Sequence, residues 1–247
     1  MADRSSLLFF WGTPRSMSTA FLRMMLERGD HEVYHEPFSS IVVQGHVRVG
    51  ERTATSHGEL LKLLEERAQD RRVFIKETTE YDYLGCGGED IPAIGSHTFI
   101  VRDPRSVLAS HYAMNPDMTC AEVGYRHEAE LAWRAWAASR SKPMVIEAEA
   151  LAAAPLDVIK RYCDHVGIPF VASALSWAPG DQPVWSRTRP WHRDVARSSG
   201  FTEPRRAYPE TVDNNPMLAS CYRCQLPYYE LLRTWARAGD AGAQPSI

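Results

Sequence analysis

The chain alternates short apolar runs with stretches whose apolar residues recur at helical spacing. Residues 7–11 (LLFFW) are apolar at every position, too few for a helix, and bounded by Gly12 and Pro14. That pattern predicts a strand buried on both faces. From Ser18 onward Phe21, Met24, Met25 and Arg28 fall on one helical face and Gly29 follows, so a helix is expected over residues 18–28. Residues 97–101 (HTFIV) predict another buried strand, followed by Asp103 as N-cap and Pro104 at the first helical position. Helices are expected over residues 18–28, 58–69, 104–113, 121–140, 156–167 and 227–238. Strands alternating with helices imply an α/β fold with a mostly parallel central sheet, and the length suits one domain over residues 1–247.

Both strand–helix turns carry phosphate chemistry. A strand turning sharply into a helix leaves the first helical N–H groups unpaired and aimed at one spot, where the dipole favours an anion. Around the first turn stand Arg15, Ser16, Ser18 and Thr19, one fixed positive charge and three hydroxyls. The glycines and the lysine of the nucleotide-hydrolase pattern Gly-x-x-x-x-Gly-Lys-Ser/Thr are missing, and Pro14-Arg15-Ser16 stands in their place. At the second turn Arg102 occupies a strand's carboxyl end, where open α/β sheets bind ligands, and Ser106 and Ser110 share one helix face.

The segment PRSMST resembles the 5′-phosphosulfate loop of sulfotransferases that use 3′-phosphoadenosine 5′-phosphosulfate (PAPS). Arg102 and Ser110, eight positions apart, resemble that family's 3′-phosphate pair. The stretch HEVYHEPF at 31–38 resembles its short second strand and the loop after it. VFIKE at 73–77 resembles its third strand, ending in a Lys beside the reaction centre, and 143–169 resembles the segment after the donor-binding core. The resemblance spans roughly residues 5–240. It implies a three-layer P-loop-like architecture, PAPS as co-substrate, no metal, and donor contacts from Arg15, Ser16, Met17, Ser18, Thr19, Ala20, Arg102 and Ser110.

The implied reaction is an in-line displacement that passes a sulfuryl group to a hydroxyl or amine of a small acceptor. Arg15, the amides of residues 16–20 and the Thr19 hydroxyl would stabilise charge gained by the departing phosphate, and Lys76 would follow the bridging oxygen. The acceptor's proton needs a base. His35, Glu36, Glu77, Glu80 and His111 are the candidates, with Glu36 preferred because Pro37 should turn the chain and leave its carboxylate at the sheet edge. Some family members use a His from the third-strand region; Lys76-Glu77-Thr78-Thr79-Glu80 has none. Two other readings are a P-loop-like kinase or phosphotransferase, disfavoured by the missing Gly-Lys-Ser/Thr, and a non-catalytic nucleotide-binding protein of the same fold.

Bulk properties narrow the partners. At 44% hydrophobic and 24% charged residues the chain is ordinary for a globular protein. A net charge of −3 offers no field for nucleic acid. No apolar run approaches the ~18 residues of a membrane span, and the N-terminal apolar stretch is too short for a secretory signal. Five scattered cysteines are expected to be reduced thiols in a cytoplasmic protein. Cys221 and Cys224 have zinc-ligand spacing without a second pair. Residues 177–215 lose all periodicity yet hold Trp177, Trp185 and Trp191, with six arginines against four carboxylates between Asp181 and Glu210. They are expected to form an irregular lid over donor and acceptor. A frayed tail is expected from residue 239.

Overall fold

The first apolar run is buried on both sides. Leu8 and Phe10 pack into one cluster and Phe9 and Trp11 into another, as the two-residue period of a central strand requires. The computed structural model describes residues 6–202 and 206–240. In chain order it contains β1 (Leu7–Gly12), α1 (Ser18–Arg28), β2 (Glu32–His35), α2 (Pro37–Gln44), a hairpin of β3 (Val47–Val49) and β4 (Arg52–Ala54), then α3 (His57–Asp70) and β5 (Val73–Thr78). There follow β6 (Ser96–Val101), α4 (Pro104–Tyr112), α5 (Tyr125–Ser139), β7 (Met144–Glu147), α6 (Ala148–Ala153), α7 (Pro155–Val166), α8 (Arg193–Arg197) and α9 (Pro216–Asp240).

Five strands form a parallel sheet in the order β2-β5-β1-β6-β7. One face packs on α1 and α7 through Phe21, Met25, Ile159 and Tyr162; the other packs on α3, α5 and α9 through Leu64, Leu131, Leu232 and Trp235. The result is three layers, with each large buried side chain contributing roughly 1.5–3 kcal/mol. β1 lies between β5 and β6, with Gly12 level with Thr78 and with Ile100. The chain builds one side of β1 and then crosses to the other, so the crevice at β1's carboxyl end is a topological switch point. Among the described residues no helix is long and apolar enough to cross a membrane.

Several expectations need correction. Pro37 starts α2 rather than a loop, because Glu36 in the left-handed region (φ 51°) turns the chain directly into a helix. The expected helix over 121–140 breaks at Gly124 (φ 88°), leaving a 3₁₀ turn at Ala121–Val123 before α5. A side chain at Gly124 would meet the Thr79 carbonyl oxygen at 2.6 Å. The last helix begins at Pro216, not Pro227. Asn215 caps it by accepting from the amides of Met217 (3.0 Å) and Leu218 (3.2 Å), and Pro227 lies inside it. This early start brings Cys221 to Cys120, Cα to Cα 5.1 Å, where the two form a disulfide rather than the expected free thiols. The segment at 177–215 is not wholly irregular: it forms a 3₁₀ stretch at Pro183–His192 and α8, and Trp177 and Trp185 are buried. The tail expected to fray from residue 239 is still helical there, since α9 runs to Asp240, and the rest of it lies outside the described residues.

Candidate active site

The loop between β1 and α1 is built to receive an anion. Arg15 (φ 67°) and Met17 (φ 70°) both adopt left-handed backbone, which costs roughly 1–2 kcal/mol per non-glycine residue. That alternation curls the loop, and the Ser16 hydroxyl closes it by donating to the Thr13 carbonyl at 2.7 Å. Gly12 is required, since a Cβ there would sit 2.6 Å from Ser16 Oγ and 2.7 Å from Ile100 Cγ2. α1 has no side-chain cap, and its first internal bonds run from Ala20 and Phe21 to the Met17 carbonyl. The preceding amides therefore face a cleft of about 350 Å³ at the sheet's carboxyl edge.

Pro14 to Ala20, Arg102, Lys76 and Glu36 all line that cleft, so the structure brings together nearly every residue singled out from the sequence. Arg102, at the end of β6, donates to the Arg15 carbonyl at 3.2 Å and braces the loop. Arg15 runs along the wall, donating to Ser110 Oγ (2.9 Å), the Trp191 carbonyl (2.7 Å) and Asp194 (3.4 Å). Burial lowers its pKa, with Asp194 among the groups opposing. Ser110 stands one bond behind the cleft, its hydroxyl engaged by Arg15 and by Tyr208 OH at 3.0 Å.

Lys76, 3% exposed in the second half of β5, donates to Glu36 Oε1 at 2.5 Å. Arg187 lies 3.8 Å from the other Glu36 oxygen and His35 3.5 Å from the first. Burial alone would raise the Glu36 pKa, yet its cationic neighbours hold the carboxyl far below the usual range. His35 is pushed down to about 4 by burial and is uncharged at neutral pH, so Lys76 is the cation that matters. The other carboxylates divide. Glu77 is off the cleft; its oxygens accept from the amides of Phe38 (2.7 Å), Ser39 (3.3 Å) and Thr78 (2.9 Å) and from Tyr83 OH (3.0 Å), capping α2. Glu80 lines the cleft, and among the described residues no cation stands within ion-pair range of it. Burial, with the charges of Glu36 and Glu122, pushes it up to about 7. His111 is wholly buried, edge-on to Trp191, and is pushed down to about 4 by burial.

Other cleft residues escape sequence reasoning as individuals. His192 bridges Thr19 (Nδ1, 3.2 Å) and Thr188 (Nε2, 2.8 Å), and Tyr81, Arg187, Trp191 and Asp194 complete the wall. The only sequence signal for most of them is the arginine- and tryptophan-rich segment in which they lie. Among the described residues no group of three His, Cys, Asp or Glu side chains is arranged to hold a metal ion.

Known proteins bear on this geometry. A family model described as a sulfotransferase domain matches residues 74–237. Two Arabidopsis thaliana proteins, branched-chain-amino-acid aminotransferase-like proteins 2 and 1, are 26% and 27% identical over 234 and 237 residues, 90% and 91% of this chain. The chain spans only 40% and 41% of their lengths. Among solved structures, the sulfotransferase domain from the Synechococcus PCC 7002 olefin synthase shares the fold, with a TM-score of 0.54 and 15% identity. That likeness covers 97% of this chain and 95% of the other.

Proposed function

Because the chain belongs to the sulfotransferase domain family, we propose that it transfers a sulfuryl group from PAPS to a hydroxyl or amine of a small acceptor. The observation that carries this reading is one cleft with two anion-receiving elements, the curled loop at 13–20 and Arg102 on the neighbouring strand. A donor with a 5′-phosphosulfate and a separate 3′-phosphate matches two such elements; a nucleotide with one phosphorylated end does not.

The chain's own residues supply what the displacement needs. Loop amides, the Thr19 hydroxyl and Arg15 line the cleft, placed for the charge that grows on the leaving 5′-phosphate. Lys76 carries the charge that stabilises the bridging oxygen, and Glu36 fixes its ammonium at the sheet edge. Ser110 and Tyr208 set the direction of the Arg15 guanidinium. Val43, Tyr81 and Arg187 border the part of the cleft left for the acceptor, an apolar and aromatic surface with one cation.

Thermal unfolding tests the donor assignment. Adenosine 3′,5′-bisphosphate at 100 times its dissociation constant should add ~2.7 kcal/mol of stability, well beyond AMP or ATP at equal concentration. Arg102→Ala should weaken the bisphosphate and leave AMP nearly unchanged. Equal shifts for AMP and the bisphosphate would sink the reading.

A further inference from the structure

Resting on that reading, we infer that the carboxylate that takes the acceptor's proton is Glu80, which borders the cleft without a cationic partner, and that Glu36 is a positioning residue for Lys76. A proton acceptor must reach the acceptor group and must be free to change charge. Glu36 meets the first requirement only. Protonating it would strip Lys76, 3% exposed, of its counter-charge at the moment that charge is needed beside the leaving oxygen. Glu77 meets neither, since it lies off the cleft with its oxygens occupied by three amides and a phenol. His35 and His111 are buried behind the wall.

Glu80 meets both. It follows Lys76 by four residues on the turn leaving β5, so it reaches the same end of the cleft by a different route, and its amide is tied to Thr78 Oγ1 at 3.4 Å. The charged and titratable groups facing it are Glu36 before α2, Lys76 on β5, Glu122 in the 3₁₀ turn before α5, and the neighbouring Tyr81. Burial first, and then the two carboxylates among them, make Glu80 hold a proton more readily than an ordinary glutamate, reaching about 7. A base with that affinity is matched to proton transfer near neutral pH. In the step, the acceptor oxygen's lone pair forms the bond to sulfur and its O–H proton passes to a Glu80 oxygen. The bond from sulfur to the bridging oxygen breaks, and its electron pair stays on the 5′-phosphate beside Lys76.

The test is a pH–rate profile, using labelled PAPS and an acceptor found by screening phenols, alcohols and amines. The wild-type rate should fall as pH drops through about 7, because the base works only when ionised. Glu80→Gln should lower kcat about 10²–10⁴-fold, keep bisphosphate binding, and abolish that acid limb. Glu80→Ala should regain part of its rate with added formate, a rescue that repair of a merely structural defect does not give. Glu36→Gln should keep the acid limb. The inference is overturned if Glu80→Gln turns over like wild type, if the acid limb disappears with Glu36→Gln instead, or if both Glu80 variants lose the bisphosphate. Failure of wild-type protein to bind the bisphosphate would overturn the donor reading as well, and that outcome is separate from the other three.

Discussion

The Lys76–Glu36 pair is the most consequential interaction of the cleft for stability, and breaking it from either side should give unequal results. Both side chains are nearly sealed from solvent, at 4% and 12% exposure, with 2.5 Å between Nζ and Oε1. Removing one partner of a buried pair strands the other charge and costs about 3–5 kcal/mol. Glu36→Gln keeps the shape but leaves the Lys76 ammonium buried, with the Arg187 guanidinium 3.8 Å from the former carboxylate. Two cations would then share a site where, among the described residues, no other carboxylate lies in ion-pair range of either, so this variant belongs at the upper end of that range. Lys76→Met leaves Glu36 with Arg187 still near it and should cost about 1–2 kcal/mol less than Glu36→Gln, within the span set by partner removal. The double variant removes both charges and should recover most of the loss, with a coupling on the order of 0.5–3 kcal/mol. Urea unfolding at pH 7, with unchanged m-values, measures all three. The sign with pH follows from a folded-state pKa held below the unfolded one: Glu36's contribution is complete above about 4.5 and fades as pH falls below it. The wild-type advantage over Glu36→Gln should therefore shrink in acid. A Glu36→Gln cost under ~1 kcal/mol, or single costs that simply add, would refute this electrostatic account.

Gly12→Ala should destabilise the protein by about 1–3 kcal/mol and weaken bisphosphate binding, because the new methyl displaces Ser16 Oγ from the loop; denaturation and thermal shift read the two effects, and an unchanged loop affinity would argue against the closure described. Glu128 is wholly buried on α5 beside Thr13, and burial pushes its carboxyl well above the ordinary range. Its raised folded-state pKa means stability is lost as pH rises above about 4.5, so wild type should lose ground to Glu128→Gln as pH rises above that point, by up to ~1.4 kcal/mol per pH unit. A pH-independent difference between the two would show that Glu128 is ionised in the fold.

Much of the parallel sheet and of the loop-lined end of the cleft was legible in the sequence, for local reasons. A strand such as LLFFW, buried on both faces, has no polar positions to mislead, and α1 was bounded correctly because Gly29 stops it in the left-handed region (φ 68°). Arg15 and Arg102 could be placed together because each follows a strand of a parallel sheet, and such strands end at one edge. What could not be read were pairings between distant segments. Nothing near Glu36 in sequence announces Lys76, forty positions on, so its carboxylate looked free when it is committed. Cys120 and Cys221 looked unrelated for the same reason, compounded by taking Pro227 for a helix start when Asn215-Pro216 carried the true capping signal. The segment from 177 defeated the periodic reading because its turns are 3₁₀, with Trp185 and Thr188 departing from helical backbone inside them.

The contacts that close the cleft are among the longest in the chain by sequence: Arg15 to the Trp191 carbonyl spans 176 positions, and Thr19 to His192 spans 173. All five strands of the main sheet, by contrast, are complete by Glu147. Closing a loop costs entropy that grows with its length, and native pairings between remote segments form slowly. On a ribosome the sheet and the curled loop are therefore synthesised in full while the wall that Arg15 must grip does not yet exist. The second wall of the cleft is thus supplied by a segment made after every strand whose carboxyl end it covers.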